Sequence, residues 1–168
     1  MKFLIVLALI AAVSADLKPL SKEQADEVRH AWDKVKSNEV EILYEIFKAH
    51  PDIQNKFPQF AGKNLDSIKN NSDFGTHATR IVSFITEIMS LGGKPDLLPA
   101  IKTRVNEMGQ NHRNRGVTKE QFNEFRSTLT DYVKHHSSLD GDTEHAWNQA
   151  IDNVFFIIFS NLDGHPVV

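Results

Sequence analysis

Ser72-Asp73-Phe74-Gly75-Thr76-His77-Ala78-Thr79-Arg80-Ile81-Val82-Ser83-Phe84-Ile85-Thr86-Glu87-Ile88-Met89 sets the fold class. Phe74, Ala78, Ile81, Val82, Ile85, Ile88 and Met89 recur at i, i+4, i+7, i+8, i+11, i+14 and i+15. That spacing is one face of a 3.6-residue helix and cannot be one face of a strand. Ser72-Asp73 opens the helix; Gly92-Gly93 and Pro95 stop it.

The same period runs outward on both sides. Downstream, Pro99 suits the first turn of a helix carrying Ile101, Val105 and Met108, and Gly116 interrupts it. Thr118 and Gln121 spell a capping box before Phe122, Phe125, Leu129 and Val133. A last helix is expected from about 142 to 162, with an apolar face broad enough to be buried on most sides. Upstream, Ser21 and Gln24 form another capping box, followed by Ala25, Val28, Trp32 and Val35. A second helix over about 39–49 carries Val40, Leu43, Tyr44 and Phe47 and ends before Pro51. Residues 51–71, with Pro51, Pro58, Gly62 and a run of Asn and Lys, read as short turns and irregular chain. No extended period-2 alternation occurs. Periodicity gives an all-α domain of about six main helices.

Residues 1–15 read as a secretory signal peptide: Lys2, an apolar run from Phe3 to Val13, and the small-residue site Val13-Ser14-Ala15. The run is too short to cross a hydrocarbon core, which takes about 20 residues. The mature domain is then 16–168, with 18 basic against 22 acidic residues. That mild acidity, without a basic stripe, sets nucleic acid aside as a partner. No membrane association is expected once the leader is cleaved. The absence of cysteine excludes disulfides, thiol nucleophiles and thiolate-bound metal.

Eight histidines are present. His30, His50, His145 and His165 lie among polar neighbours or at helix ends and read as surface residues. His135-His136 falls near a helix C-terminus, where imidazolium meets the negative end of the dipole. His77 and His112 differ, because each borders apolar neighbours: Phe74 and Ile81 for one, Met108 for the other. A neutral imidazole is the common protein ligand of haem iron. Spacing alone favours two partly buried, hydrogen-bonded histidines over a pair that flanks a cofactor.

Whole segments resemble the globin family. Ile42-Leu43-Tyr44-Glu45-Ile46-Phe47-Lys48-Ala49-His50-Pro51, with Phe57 and Phe60 following, is similar to its second helix and next corner. His77 to Phe84 is similar to the distal helix, and Asn111 to Thr118 to the proximal corner. Phe57-x-x-Phe60-Ala61-Gly62-Lys63 and His112-x-x-Arg115-Gly116-Val117 resemble the secreted haemoglobins of midge larval haemolymph. The resemblance spans nearly all of residues 20–162.

It implies a globin-like fold around a pocket for haem b (iron protoporphyrin IX). It implies reversible binding of dioxygen and other small gases, for transport or storage in haemolymph, and not an enzyme. His112 would be the proximal iron ligand, with its other ring N–H on a backbone carbonyl. His77 would be the distal residue, donating to bound dioxygen. Leu43 and Ile81 would form the distal wall, with Phe57 on the haem face. Met108, Val117 and Phe122 would line the proximal side. Arg80 would reach a haem propionate or compete for the distal space. Protonation of His77 would link oxygen affinity to pH.

The His77–His112 interval is several residues longer than in common globins. The excess falls in Ser90 to Asp96 and reads as a surface insertion. Peroxidase-like or nitric oxide-oxidising chemistry, and a globin fold kept without oxygen function, are the competing readings. Self-association is left open.

Overall fold

The computed structural model describes residues 17–168. The expected signal peptide, residues 1–15, lies outside them. Eight α-helices follow in order: α1 Lys22–Asp33, α2 Glu39–Ala49, α3 Pro51–Gln54, α4 Leu65–Ile68, α5 Ser72–Leu91, α6 Leu98–Arg113, α7 Lys119–His136 and α8 Gly141–Leu162. A 3₁₀ turn, Pro95–Leu97, leads into α6. No strand occurs among the described residues, so the fold is all-α as expected.

Both capping boxes form. Ser21 Oγ accepts from Gln24 N while Gln24 Oε1 accepts from Ser21 N. Thr118 and Gln121 repeat the arrangement at α7. Each box satisfies two backbone groups that a helix start would otherwise leave unpaired. The segment 51–71 departs from expectation. It contains α3 and α4, each a single turn, the second opened by Asn64 accepting from Ser67 N.

The long helices pack as α6 along α8, α2 against α5, and α1 against α8. Trp32 and Trp147 are fully buried, with ring centroids 6.4 Å apart. Their indole N–H groups donate to Thr86 and Thr130, which ties α1 to α5 and α8 to α7. A second core cluster joins Phe47, Phe60 and Phe74, with centroids 5.6–6.0 Å apart. These rings fix where α2, α5 and the 51–71 segment meet.

The segment expected to be a surface insertion is part of the packing. Gly93 has φ +73, and a Cβ there would lie 2.6 Å from Ala25 Cβ and 3.2 Å from Ser21 O. Only glycine permits both that backbone and that approach to α1. Arg29 on α1 donates to the carbonyls of Met89 and Gly92 and so caps the same corner.

Candidate haem pocket

The helices leave a mainly apolar cavity of about 860 Å³, in the upper part of the size range of small-molecule and cofactor sites. All nine residues expected at the site line it: Leu43, Phe57, His77, Arg80, Ile81, Met108, His112, Val117 and Phe122. Phe84, Ile85, Ile101, Arg115 and Phe155 join them.

α5 supplies the wall with His77. Ala78 and Val82 point into the core, which turns His77 and Ile81 toward the cavity edge. The His77 ring lies edge-on to Phe57, with centroids 4.4 Å apart, and 6.1 Å from Phe60. Phe57 packs in turn on Phe47 at 5.3 Å. Burial pushes the His77 pKa down to about 4, and the charge of Arg80, then His112 and Arg115, adds to the effect. At neutral pH the ring is uncharged and offers one N–H.

α6 supplies the second histidine in its last turn. His112 Nδ1 lies 2.8 Å from the Met108 carbonyl. A carbonyl only accepts, so Nδ1 carries the proton and Nε2 keeps a free lone pair. Burial also lowers the His112 pKa, opposed by the Met108 carbonyl, while Arg115 lowers it further. Phe122 packs on the ring at 5.3 Å.

The corner after His112 follows from one glycine. Gly116 has φ +68. Val117 N donates to the His112 carbonyl at 3.1 Å, and Gly116 N donates to Arg113 O at 3.0 Å. This pair of bonds is a Schellman cap. It ends the helix just past His112 and turns Val117 onto the cavity. Lys56 Nζ then donates to the Gly116 carbonyl at 2.9 Å, which anchors the corner to the segment after α3.

The donor set fits haem. A free imidazole nitrogen faces an apolar slot, a neutral imidazole lies on another wall, and Arg80 and Arg115 stand exposed at its rim. Apolar walls suit a macrocycle, and rim guanidinium groups suit its carboxylates. The apolar residues absent from the expected set carry the same helical period as the core, so periodicity finds them without marking them as lining. Arg115 reaches the rim through the corner geometry, which no local pattern announces.

Helices packed around an apolar pocket, with a histidine from each of two helices lining it, are the arrangement of the globin class. The match to the globin family model over residues 40–158 agrees, and the chain belongs to that family. It is 53% identical to globin CTT-VI of Chironomus thummi thummi over 163 residues, 97% of this chain and 99% of the relative. Globin CTT-IX of the same organism is 52% identical, over 96% of this chain and 100% of its own. Among solved structures, the haemoglobin component TA-VII of Tokunagayusurika akamusi superposes with a TM-score of 0.81 at 37% identity. That match covers 87% of this chain and 99% of that one.

Proposed function

We propose that this protein holds haem b between His77 and His112 and carries or stores dioxygen reversibly. We further propose that it is a secreted protein whose mature chain is 16–168. The observation that carries the first reading is the Nδ1–H of His112 on the Met108 carbonyl, which leaves Nε2 free toward an apolar cavity. Close likeness to Chironomus globins and to a named haemoglobin component supports it.

When bound, haem supplies an iron centre that takes small gaseous ligands. The chain supplies everything else. His112 Nε2 would hold the iron, and the bond from Nδ1 to the Met108 carbonyl fixes the ring's tautomer and would raise its basicity as a ligand. His77, uncharged at neutral pH, would offer one N–H donor to a ligand on the iron without bringing a charge. Such a bond is worth about 1 kcal/mol, roughly fivefold in affinity, and tenfold or more toward a charged acceptor. Leu43, Phe57, Ile81 and Phe122 keep bulk water from the slot, and Arg80 and Arg115 would pair with the propionates. With its pKa pushed down to about 4, His77 is expected to stay uncharged between pH 6 and 8, contrary to the expectation that its protonation links oxygen affinity to pH; a pH dependence there is expected from other groups. We read the protein as a carrier, not an enzyme.

The test is the visible spectrum of the purified ferrous protein cycled between air and argon. Repeated, reversible oxygenation is expected. Rapid oxidation with no oxygenated form, or peroxide turnover far above that of an ordinary globin, contradicts the reading. Extraction of the haem identifies its type. N-terminal sequencing of the secreted protein is expected to begin at Asp16.

A further inference from the structure

The sequence reading places His50 on the surface among polar neighbours; the structure corrects this. Its side chain is only 25% exposed and faces Glu124 and Thr128 on α7. His50 sits between α2 and α3, and Asp52 lies in the first turn of α3. Donor atoms of His50, Asp52 and Glu124 all lie within 4.8 Å of one another, the one such trio among the described residues.

Two features of this trio ask for a cation. Glu124 Oε2 is shut off from solvent and has no hydrogen-bond partner. A buried carboxylate oxygen without a partner is costly. It faces His50 Nδ1 at 3.6 Å, too long for a hydrogen bond. On the far side of the ring, His50 Nε2 lies 3.1 Å from Thr128 Oγ1. Thr128 Oγ1 can accept from Nε2 as well as donate to it, so the ring is free to take the tautomer with Nε2–H, which turns the Nδ1 lone pair toward the orphaned oxygen. An ion between them resolves the conflict. Zinc bonds to imidazole nitrogen and carboxylate oxygen are about 2.0–2.2 Å, so neighbouring ligands of a tetrahedral ion lie about 3.4 Å apart. The observed 3.6 Å is close to that edge. Asp52 is already steadied, because its Oδ2 accepts from Gln121 Nε2 at 2.8 Å. Such outer support is common behind metal-ligating carboxylates.

We propose that His50 Nδ1, Asp52 and Glu124 form a binding site for a divalent transition metal of the zinc type, with the fourth position open to water. Two carboxylates and a neutral imidazole match the ion's charge and its preference for nitrogen and oxygen ligands. The bound ion clamps α3 to α7 outside the haem pocket.

The haem-loaded full chain, first treated with a chelator, is titrated with zinc chloride by calorimetry. One saturable equivalent is expected, with a higher melting temperature when zinc is bound. Glu124→Gln and His50→Gln are each expected to weaken that equivalent by at least about tenfold with the haem spectrum unchanged. Zinc absorption-edge spectroscopy of the wild-type protein is expected to give one imidazole nitrogen among oxygen ligands, a result that requires no variant to fold. Absence of saturable binding overturns the proposal, because His50 and Glu124 then form a simple ion pair. Binding unchanged in Glu124→Gln, or two or more imidazoles on the zinc, overturns it as well, by placing the ion on other histidines.

Discussion

The two histidine walls of the pocket are built differently. His112 is held by a hydrogen bond to the Met108 carbonyl in its own helix, and the Schellman cap ends that helix directly behind it. The His77 side chain makes no hydrogen bond to another described residue and is held by the faces and edges of Phe57 and Phe60. A hydrogen bond fixes a ring's tautomer and its direction; aromatic packing fixes its position and leaves its N–H unspent. The first arrangement suits a permanent ligand of the iron. The second suits a donor that meets a ligand which comes and goes.

This contrast can be broken most severely through the aromatic cluster behind His77. Phe74 is fully buried, with Phe47 and Phe60 packed against it. Phe74→Ala is expected to destabilise the fold by about 3–5 kcal/mol, read by chemical denaturation. A smaller loss would mean that the distal wall is not the rigid scaffold described. Next comes His112→Ala. Haem affinity is expected to fall by more than the roughly 10–100-fold that loss of an outer partner of a metal ligand costs. Transfer of haem to an acceptor protein measures it, and retention close to wild type would remove His112 from its role.

His77→Leu sharpens the comparison. It keeps volume and removes the donor, so haem is expected to stay bound while oxygen affinity falls by about 1–2 kcal/mol, roughly tenfold or more. The same variant tests the charge argument. Folded His77 takes a proton only near pH 4, whereas the unfolded ring takes one near 6.5. The wild-type fold therefore loses stability as pH falls from about 6.5 toward 4, and His77→Leu is expected to flatten that slope. The smallest effect is at the α7 start. Thr118→Ala removes one capping bond, which is expected to cost about 0.5–1 kcal/mol in thermal unfolding with the haem spectrum unchanged.

The long helices were legible because each buries a stripe at a single period and carries its own stop signals. α2 ends at Ala49 before Pro51, and both capping boxes form. α3 and α4 were not legible, since four residues cannot display a 3.6-residue period. The Gly92-Gly93 corner looked like a loop because its fit against Ala25 is a tertiary contact, distant in sequence. The nine pocket residues came from the globin resemblance, not from spacing, which favoured two ordinary core histidines. The half-burial of His50 is not legible in the sequence because its surroundings come from α7, far along the chain. A helix-end histidine followed by proline gives no local sign of a half-buried glutamate across from it.

The central claim is that one histidine holds the iron while the other stands clear of it. The absorption spectrum of the reduced haem protein without any gas tests it most directly. A five-coordinate ferrous spectrum is predicted, with His112 as the single axial ligand. A six-coordinate spectrum in the absence of gas would show that a second side chain, with His77 foremost, closes on the iron, and it would contradict the division of labour between the two walls.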